Sequence, residues 1–233
     1  MPLPRPMQPA ARTLWTPFWR GVVFALASTS IACLLAQFYG LGSMRVVTLF
    51  VMLPALGLLA LIAAWDGLRG DGQLCRGVVI GTAAGLIAAV AYDLFRVPFV
   101  FADAWGIASI VPPLKLFKVF PRFGMMILGE PAGSPSSWQS HAIGWAYHFS
   151  NGATFGVMYV AVLGEAARRA WGWGVLWAVG LELGMLLTPY PAVFGIHVAT
   201  AFVVVTLLAH LVFGAVLGLL ARRMARLWPA TGD

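Results

Sequence analysis

The side chains of this sequence that could do chemistry are ionisable groups set within apolar stretches. Such groups are expensive to place in a lipid bilayer, so each is a candidate functional residue. Asp93 and Arg96 are three residues apart and share a helix face, where an ion pair would neutralise both charges without further function. The candidates are Asp93, Arg96, His141, His148, Glu182, His197 and His210.

Two of these histidines form a polar stripe on one helix face. His141 and His148 are two helical turns apart, and Asn151 continues the same face. Imidazole binds metal or haem, or relays protons near neutral pH. Two turns correspond to about 10.5 Å along the helix axis, too far for the pair to share one metal ion without further ligands. Glu182 and His197 are the candidates for those ligands.

Glu182 needs either a proton or a partner. An unpaired, charged carboxylate near the middle of a membrane would cost at least ~2.5 kcal/mol. His148, at similar depth, is the best candidate partner on another helix. We therefore predict a polar pocket formed by His148, Glu182 and at least one of Asp93 or His197. The alternative is a set of separate hydrogen bonds that hold helices together.

The composition indicates that membrane-spanning helices position these residues. Hydrophobic residues make up 61% of the 233-residue chain and charged residues only 10%, whereas soluble domains carry roughly 25% charge. In lipid the backbone must satisfy its own hydrogen bonds, so each long apolar stretch is expected to be a helix. The fold class is therefore an all-α, polytopic transmembrane bundle. Its six spans are predicted at residues 18–39, 44–65, 75–97 (ended by Pro98), 139–163, 170–187 and 196–220.

Charge distribution orients the chain. Of the 15 Lys and Arg residues, ten lie on the side of the termini and five on the other, which predicts cytoplasmic termini. The same asymmetry accounts for the net charge of +7, so the lipid bilayer and not nucleic acid is the expected partner. The chain divides into a tail (1–17), a hairpin of spans 1 and 2 (18–65), a four-span bundle (75–221) and a second tail (222–233).

The external segment 99–138 between spans 3 and 4 is unusually apolar. Lys115, Lys118 and Arg122 are spaced to share one helix face. This pattern predicts a short helix in the membrane interface, broken near Pro121. A re-entrant loop and an ordinary ordered loop are the alternatives.

Glycines at four-residue spacing predict close helix contacts, because small residues let helix backbones approach each other in lipid. They favour tight packing of spans 3 to 6, with spans 1 and 2 as a looser flank. These glycines are Gly77, Gly81 and Gly85 in span 3, Gly152 and Gly156 in span 4, Gly180 and Gly184 in span 5, and Gly214 and Gly218 in span 6.

The second half of the chain resembles the YagU-like family of bacterial inner-membrane proteins. The resemblance covers residues 77–226 and implies a location in the bacterial inner membrane, a link to acid tolerance and no established enzymatic activity. It assigns no catalytic residue. It is carried by His148-Phe149-Ser150, Phe155, Tyr159, Glu165, Trp171-Gly172, Pro189, Pro191 and His210-Leu211-Val212.

Three functions fit these observations. The first is a protein without catalytic turnover that binds or moves a small solute, proton or metal ion through a polar site in the outer half of the bundle. The second is a structural or accessory subunit of a larger membrane complex, or a homo-oligomer. The third is an intramembrane metal- or haem-dependent enzyme that uses His141, His148, Glu182 and His197. The sequence has no Walker loop, GxSxG, HExxH or CxxCH motif to name a catalytic residue or cofactor.

Overall fold

The computed structural model describes residues 13–131 and 133–228, and the regular secondary structure of these residues is entirely helical. The all-α fold class is therefore confirmed. The helices are α1 (Pro17–Phe38), α2 (Met44–Arg69, with a π-helical turn at Thr48–Met52), α3 (Gln73–Val100), α4 (Val119–Leu128), α5 (Trp138–Leu163), α6 (Gly172–Leu187), α7 (Tyr190–Val193) and α8 (Thr200–Leu227).

Four helices of the described chain, α1, α2, α3 and α8, are long and apolar enough to cross a membrane. Helix α6 is apolar but has 16 residues, which gives about 24 Å against a hydrocarbon thickness of about 30 Å. Helix α5 has 26 residues, but it carries polar side chains that it buries inside the bundle. A helix is present at each of the six predicted positions, and the six-span topology itself stays a prediction.

Side-chain caps begin three of these helices. The hydroxyl groups of Thr16, Ser43 and Ser137 accept hydrogen bonds from backbone N–H groups in the first turns of α1, α2 and α5, respectively. Each cap satisfies a donor that has no partner within its own helix. The caps therefore fix where the chain enters the bundle.

Two prolines behave differently from the prediction. Helix α3 continues through Pro98 to Val100, because a proline in the last turn removes only one hydrogen bond. Pro121 lies in the first turn of α4 and does not break it, since N–H groups there have no intrahelical acceptor. The predicted helix end before Pro98 and the break near Pro121 are both wrong.

Helix α5 lies at the centre, and its glycines meet those of α3. A Cβ atom on Gly81 would lie 2.6 Å from the Cα of Val157, and one on Gly85 would collide with the carbonyl oxygen of Gly152. A Cβ on Gly156 would likewise collide with the carbonyl oxygen of Gly81. The backbones of the two helices therefore touch along this glycine face.

A second glycine contact joins α6 to α8, but with different α6 residues from those predicted. Gly174 meets the backbone of Gly214 and Gly218. In contrast, a Cβ on Gly180 or Gly184 would find no atom within 4 Å. The prediction that Gly180 and Gly184 pack against a helix is therefore wrong.

The N-terminal hairpin is only partly a loose flank. Helix α1 joins the core through Ser30, whose hydroxyl lies 2.6 Å from that of Thr154 and whose carbonyl accepts from the Tyr147 hydroxyl at 2.7 Å. Helix α2 exposes large apolar side chains along its outer face, Phe50 and Leu61 among them. The looser packing therefore applies to α2 and not to α1.

The segment before α5 folds back onto the bundle. A 3₁₀ turn at Leu116–Lys118 leads into α4, which contacts α5 so closely that Gly124 meets the backbone of Ser140. Phe120 and Phe123 are buried in this contact, whereas Lys118 and Arg122 are exposed. The short amphipathic helix is therefore one wall of the bundle, although its depth in a membrane stays a prediction.

Candidate functional site

Two carboxylate–imidazole pairs lie between the helices at one end of the bundle. Asp93 on α3 accepts from His148 on α5, with 2.9 Å between Oδ2 and Nε2. Glu182 on α6 lies 2.8 Å from His210 on α8, measured from Oε2 to Nδ1. Asp93 is 8% exposed and Glu182 only 1%, so each pair joins two helices inside the protein.

Asp93 also holds a buried arginine. Its second carboxylate oxygen accepts from the Arg96 guanidinium, and Arg96 is 4% exposed. The guanidinium lies over the Tyr92 ring, 4.0 Å from the ring centroid. Arg96 Nε is buried and has no hydrogen-bond partner within the described residues. Asp93 therefore balances one permanent charge while it also contacts an imidazole that can gain or lose a proton.

Glu182 is satisfied at one oxygen only. The Thr206 hydroxyl donates to Oε1 at 2.7 Å. His210 Nδ1 lies close to both Oε2 and the Thr206 carbonyl oxygen, the latter at 2.9 Å. The Nδ1–H group of His210 donates to the Thr206 carbonyl oxygen. Among the described residues, Glu182 Oε2 therefore has no hydrogen-bond donor, and its contact with the imidazole is electrostatic. A buried carboxylate oxygen without a donor is costly, so Oε2 is the unsatisfied atom of this pair.

Tyr92 lies between the two pairs. Its ring centroid is 6.2 Å from that of His148 and 4.9 Å from that of His210. A cavity of about 260 Å³, which we call the inner cavity, is lined by Tyr92, Arg96 and both imidazoles. Asn151 also lines it, and its buried Oδ1 has no partner in the described part of the chain. One imidazole from each pair therefore lines the same cavity.

The predicted contact between His148 and Glu182 is wrong, because each has a different partner. His148 lines the inner cavity, whereas Glu182 is not among its lining residues, so the predicted pocket shared by the two is not formed. Depth along the helices gives no rotation of the helices. The sequence predicts a site role for His210 but no partner. Its spacing of four residues from Thr206 on α8 was the one available signal, because it places a hydroxyl and an imidazole together on one face.

The other predicted site residues lie elsewhere. His141 is exposed near the start of α5, with Nε2 3.1 Å from the Ser136 hydroxyl. His197 is exposed and lines a different cavity. The described residues contain no group of three or more His, Cys, Asp or Glu side chains placed to hold a metal ion. The four-residue metal set of His141, His148, Glu182 and His197 therefore does not converge.

That second cavity, which we call the basic cavity, has a volume of about 480 Å³ and adjoins the inner one. Lys115, Lys118 and Arg122 line it together with Arg96 and His197. Arg122 donates to the carbonyl oxygen of Phe194, which ties α4 to the turn before α8. The three basic residues that the sequence placed on one helix face thus surround an opening in the protein.

Tyr190 of α7 lines both cavities. Burial raises the pKa of its phenol, so the hydroxyl stays protonated and is available as a neutral donor. Its ring packs on Phe194, with centroids 4.9 Å apart. Helix α7 therefore contributes a fixed aromatic wall between the two spaces.

The fold and this site define a helical integral membrane protein with buried acid–imidazole pairs. No family model matches the chain, and no curated protein or solved structure shows significant similarity to it.

Proposed function

We propose that this protein binds a small ligand in the inner cavity and exchanges protons there, without catalytic turnover. The observation that carries the proposal is the two carboxylate–imidazole contacts on either side of Tyr92, whose imidazoles both line one cavity. Histidine changes charge near neutral pH, so each pair is suited to take up or release a proton.

The proposal includes a six-span topology with cytoplasmic termini in a bacterial inner membrane. The charge asymmetry of the sequence supports the orientation, and the resemblance to YagU-like proteins supports the location. In this orientation α3 and α6 end on the outer side, and α5 and α8 begin there. The two acid–imidazole pairs then lie in the outer half of the bundle, with the basic cavity towards the outer surface.

In this proposal, ligand binding and protonation of the imidazoles affect each other through solvation and charge. The ionisable groups around His148 are Asp93 and Arg96 from α3 and His210 from α8. A ligand in the inner cavity displaces water from both imidazoles and adds its own charge to theirs. The proton affinity of His148 and His210 must then change, and by linkage a pH change must alter ligand affinity.

Histidine NMR in detergent micelles tests the proton exchange, because the chain has only four histidines. We expect His148 and His210 to titrate as a coupled pair, so that His210→Asn shifts the His148 titration midpoint. The control is His197→Asn, which removes an exposed imidazole from the neighbouring cavity and should leave that midpoint in place. Independent titration of His148 and His210 contradicts the proposed coupling.

Proton flux into liposomes provides the functional test. With a potassium diffusion potential and an internal pH dye, wild-type protein should carry protons, and Glu182→Gln should reduce the rate at least tenfold. His141→Asn, at the exposed start of α5, is the control and should behave as wild type. If wild type, Glu182→Gln and protein-free liposomes show equal rates of proton flux, the two acid–imidazole pairs have only a structural role.

The exposed apolar side chains of α2 are assigned to lipid in this proposal. Phe50 is 74% exposed and Leu61 68%, as expected for a helix at the edge of a bundle in a bilayer. Lipid contact explains these residues, so they do not require a partner subunit.

A further inference from the structure

The inner and basic cavities adjoin one another and differ in the number of positively charged residues that line them. They share four lining residues, Tyr92, Arg96, Met185 and Tyr190. Together their volumes fall within the range of about 300–1,000 Å³ that is typical of small-molecule sites. A single ligand that occupies both must therefore have two chemically different parts.

The basic cavity has an unbalanced positive charge. Arg96, Lys115, Lys118 and Arg122 line it, and none of the described residues that line it is Asp or Glu. Asp93, which does not line this cavity, neutralises Arg96. The charges of Lys115, Lys118 and Arg122 remain at the cavity. His197 adds a further charge when it is protonated. This arrangement favours an anion.

The inner cavity is mostly apolar away from its polar end. Leu34 and Leu35 of α1, Phe155 of α5 and Phe213 of α8 form its walls. Gly180 and Gly184 of α6 line its remaining side, and both are exposed with open space in front of them. A hydrocarbon chain could therefore enter from the lipid side through the gap beside these glycines.

Arg96 lies at the junction of the two spaces and is incompletely satisfied. Its guanidinium is held by Asp93 and by the Tyr92 ring, yet the buried Nε atom has no hydrogen-bond partner in the described residues. Guanidinium binds phosphate and carboxylate oxygens through paired, charge-assisted hydrogen bonds. The head of a ligand is therefore expected next to Arg96.

We propose that the two cavities together bind one anionic amphiphile, with a phosphate or carboxylate headgroup in the basic cavity and a hydrocarbon chain in the inner cavity. This proposal names the ligand of the proposed site and so rests on the site being a binding site. An inorganic anion alone would leave the apolar walls without a partner. A zwitterionic lipid would bring a positive charge next to the lysines.

Binding by the full chain in an uncharged detergent tests the proposal, with native mass spectrometry as the readout. The probes are 1-palmitoyl-lysophosphatidate, palmitate, 1-palmitoyl-lysophosphatidylcholine and inorganic phosphate. We expect at least one of the two anionic amphiphiles to bind tenfold or more tightly than lysophosphatidylcholine, and a hundredfold excess of phosphate not to displace it. Which of the two binds more tightly identifies the headgroup as phosphate or carboxylate. Equal binding of the zwitterionic and anionic lipids overturns the proposal, and so does full displacement by phosphate.

Charge variants locate the headgroup. The double variant Lys115→Gln/Lys118→Gln should weaken anionic amphiphile binding at least tenfold. The matched control, Arg169→Gln/Arg223→Gln, removes two exposed positive charges at the opposite end of the bundle and should bind as wild type. If both double variants bind as wild type, or both weaken binding equally, the basic cavity is not the headgroup site.

A cavity-filling variant locates the chain. Gly184→Leu places a side chain in open space in the inner cavity, so it should melt like wild type and yet bind the amphiphile at least tenfold more weakly. Unchanged amphiphile binding contradicts the chain placement. The histidine titration described above is run without lipid, so it tests proton exchange independently. A coupled titration without amphiphile binding would overturn this inference alone.

Discussion

Removing the Asp93 carboxylate should strongly destabilise the protein, because it leaves a buried arginine without its counter-ion. Asp93→Asn keeps the size of the side chain and removes its charge. Arg96 is 4% exposed and ion-paired to Asp93, so the guanidinium cannot recover its hydration without local opening. The same change weakens the acceptor of the His148 hydrogen bond.

Breaking a buried ion pair from one side costs about 3–5 kcal/mol. The Tyr92 ring, 4.0 Å from the guanidinium carbon, continues to stabilise the cation, so we expect the lower end, about 3 kcal/mol. For a chain of this size each kcal/mol lowers the melting temperature by roughly 2–4 °C. Asp93→Asn should therefore melt roughly 6–12 °C below wild type.

Thermal melting in detergent, followed by tryptophan fluorescence, gives the measurement. The chain offers a matched control in Glu165 and Arg168, another acid–arginine pair three residues apart, whose side chains are 64% and 76% exposed. Such exposed pairs contribute at most about 1 kcal/mol, so Glu165→Gln should melt within a few degrees of wild type. Adding Arg96→Gln to Asp93→Asn should restore most of the loss, since no unpaired charge then remains. If Asp93→Asn melts like Glu165→Gln, the Arg96 charge is not held by Asp93 inside the bundle.

Three further predictions concern packing and topology. Gly81→Leu should lower the melting temperature by several degrees, because even a Cβ there meets the α5 backbone. Gly184→Leu is the control and should leave the melting temperature unchanged. If the two variants melt at the same temperature, the α3–α5 contact is not tight. A reporter fused after Ala166 should report the cytoplasm and one near Pro131 the outside, and a cytoplasmic signal near Pro131 would refute the six-span orientation. A fluorophore at Met125→Cys should be quenched by spin-labelled lipid, and quenching only by a water-soluble agent would place α4 outside the membrane interface.

The positions of the helices could be predicted from the sequence because each depends on a local property. An apolar stretch must form a helix in lipid, so five of the six predicted spans overlap their helices closely. The sixth begins at Thr200 rather than residue 196 and runs to Leu227. The predicted end of α3 is wrong because it rests on the tendency of proline to disfavour helix in the preceding residue. In a final turn Pro98 costs only one hydrogen bond, and the helix continues to Val100.

The partners in the site could not be predicted in the same way, because they depend on how each helix is rotated. Depth along the helix predicted that Asp93, His148 and Glu182 lie near one another. Depth does not decide whether His148 or His210 faces Glu182. That choice depends on which helices are neighbours and on how each is rotated. A single sequence determines neither.

Helix α6 shows how one rotation settles both features of the site. Gly174, Ala178 and Glu182 recur every four residues, and all three are buried. The contact of Gly174 with α8 turns this whole face towards α8, so the partner of Glu182 had to come from α8, where His210 lies. The same rotation directs Gly180 and Gly184 away from α8 and into the inner cavity, where the lack of a side chain keeps the space open. Gly174 thus closes one side of α6 by packing, whereas Gly180 and Gly184 leave the other side open, and the buried Glu182 lies on the packed side.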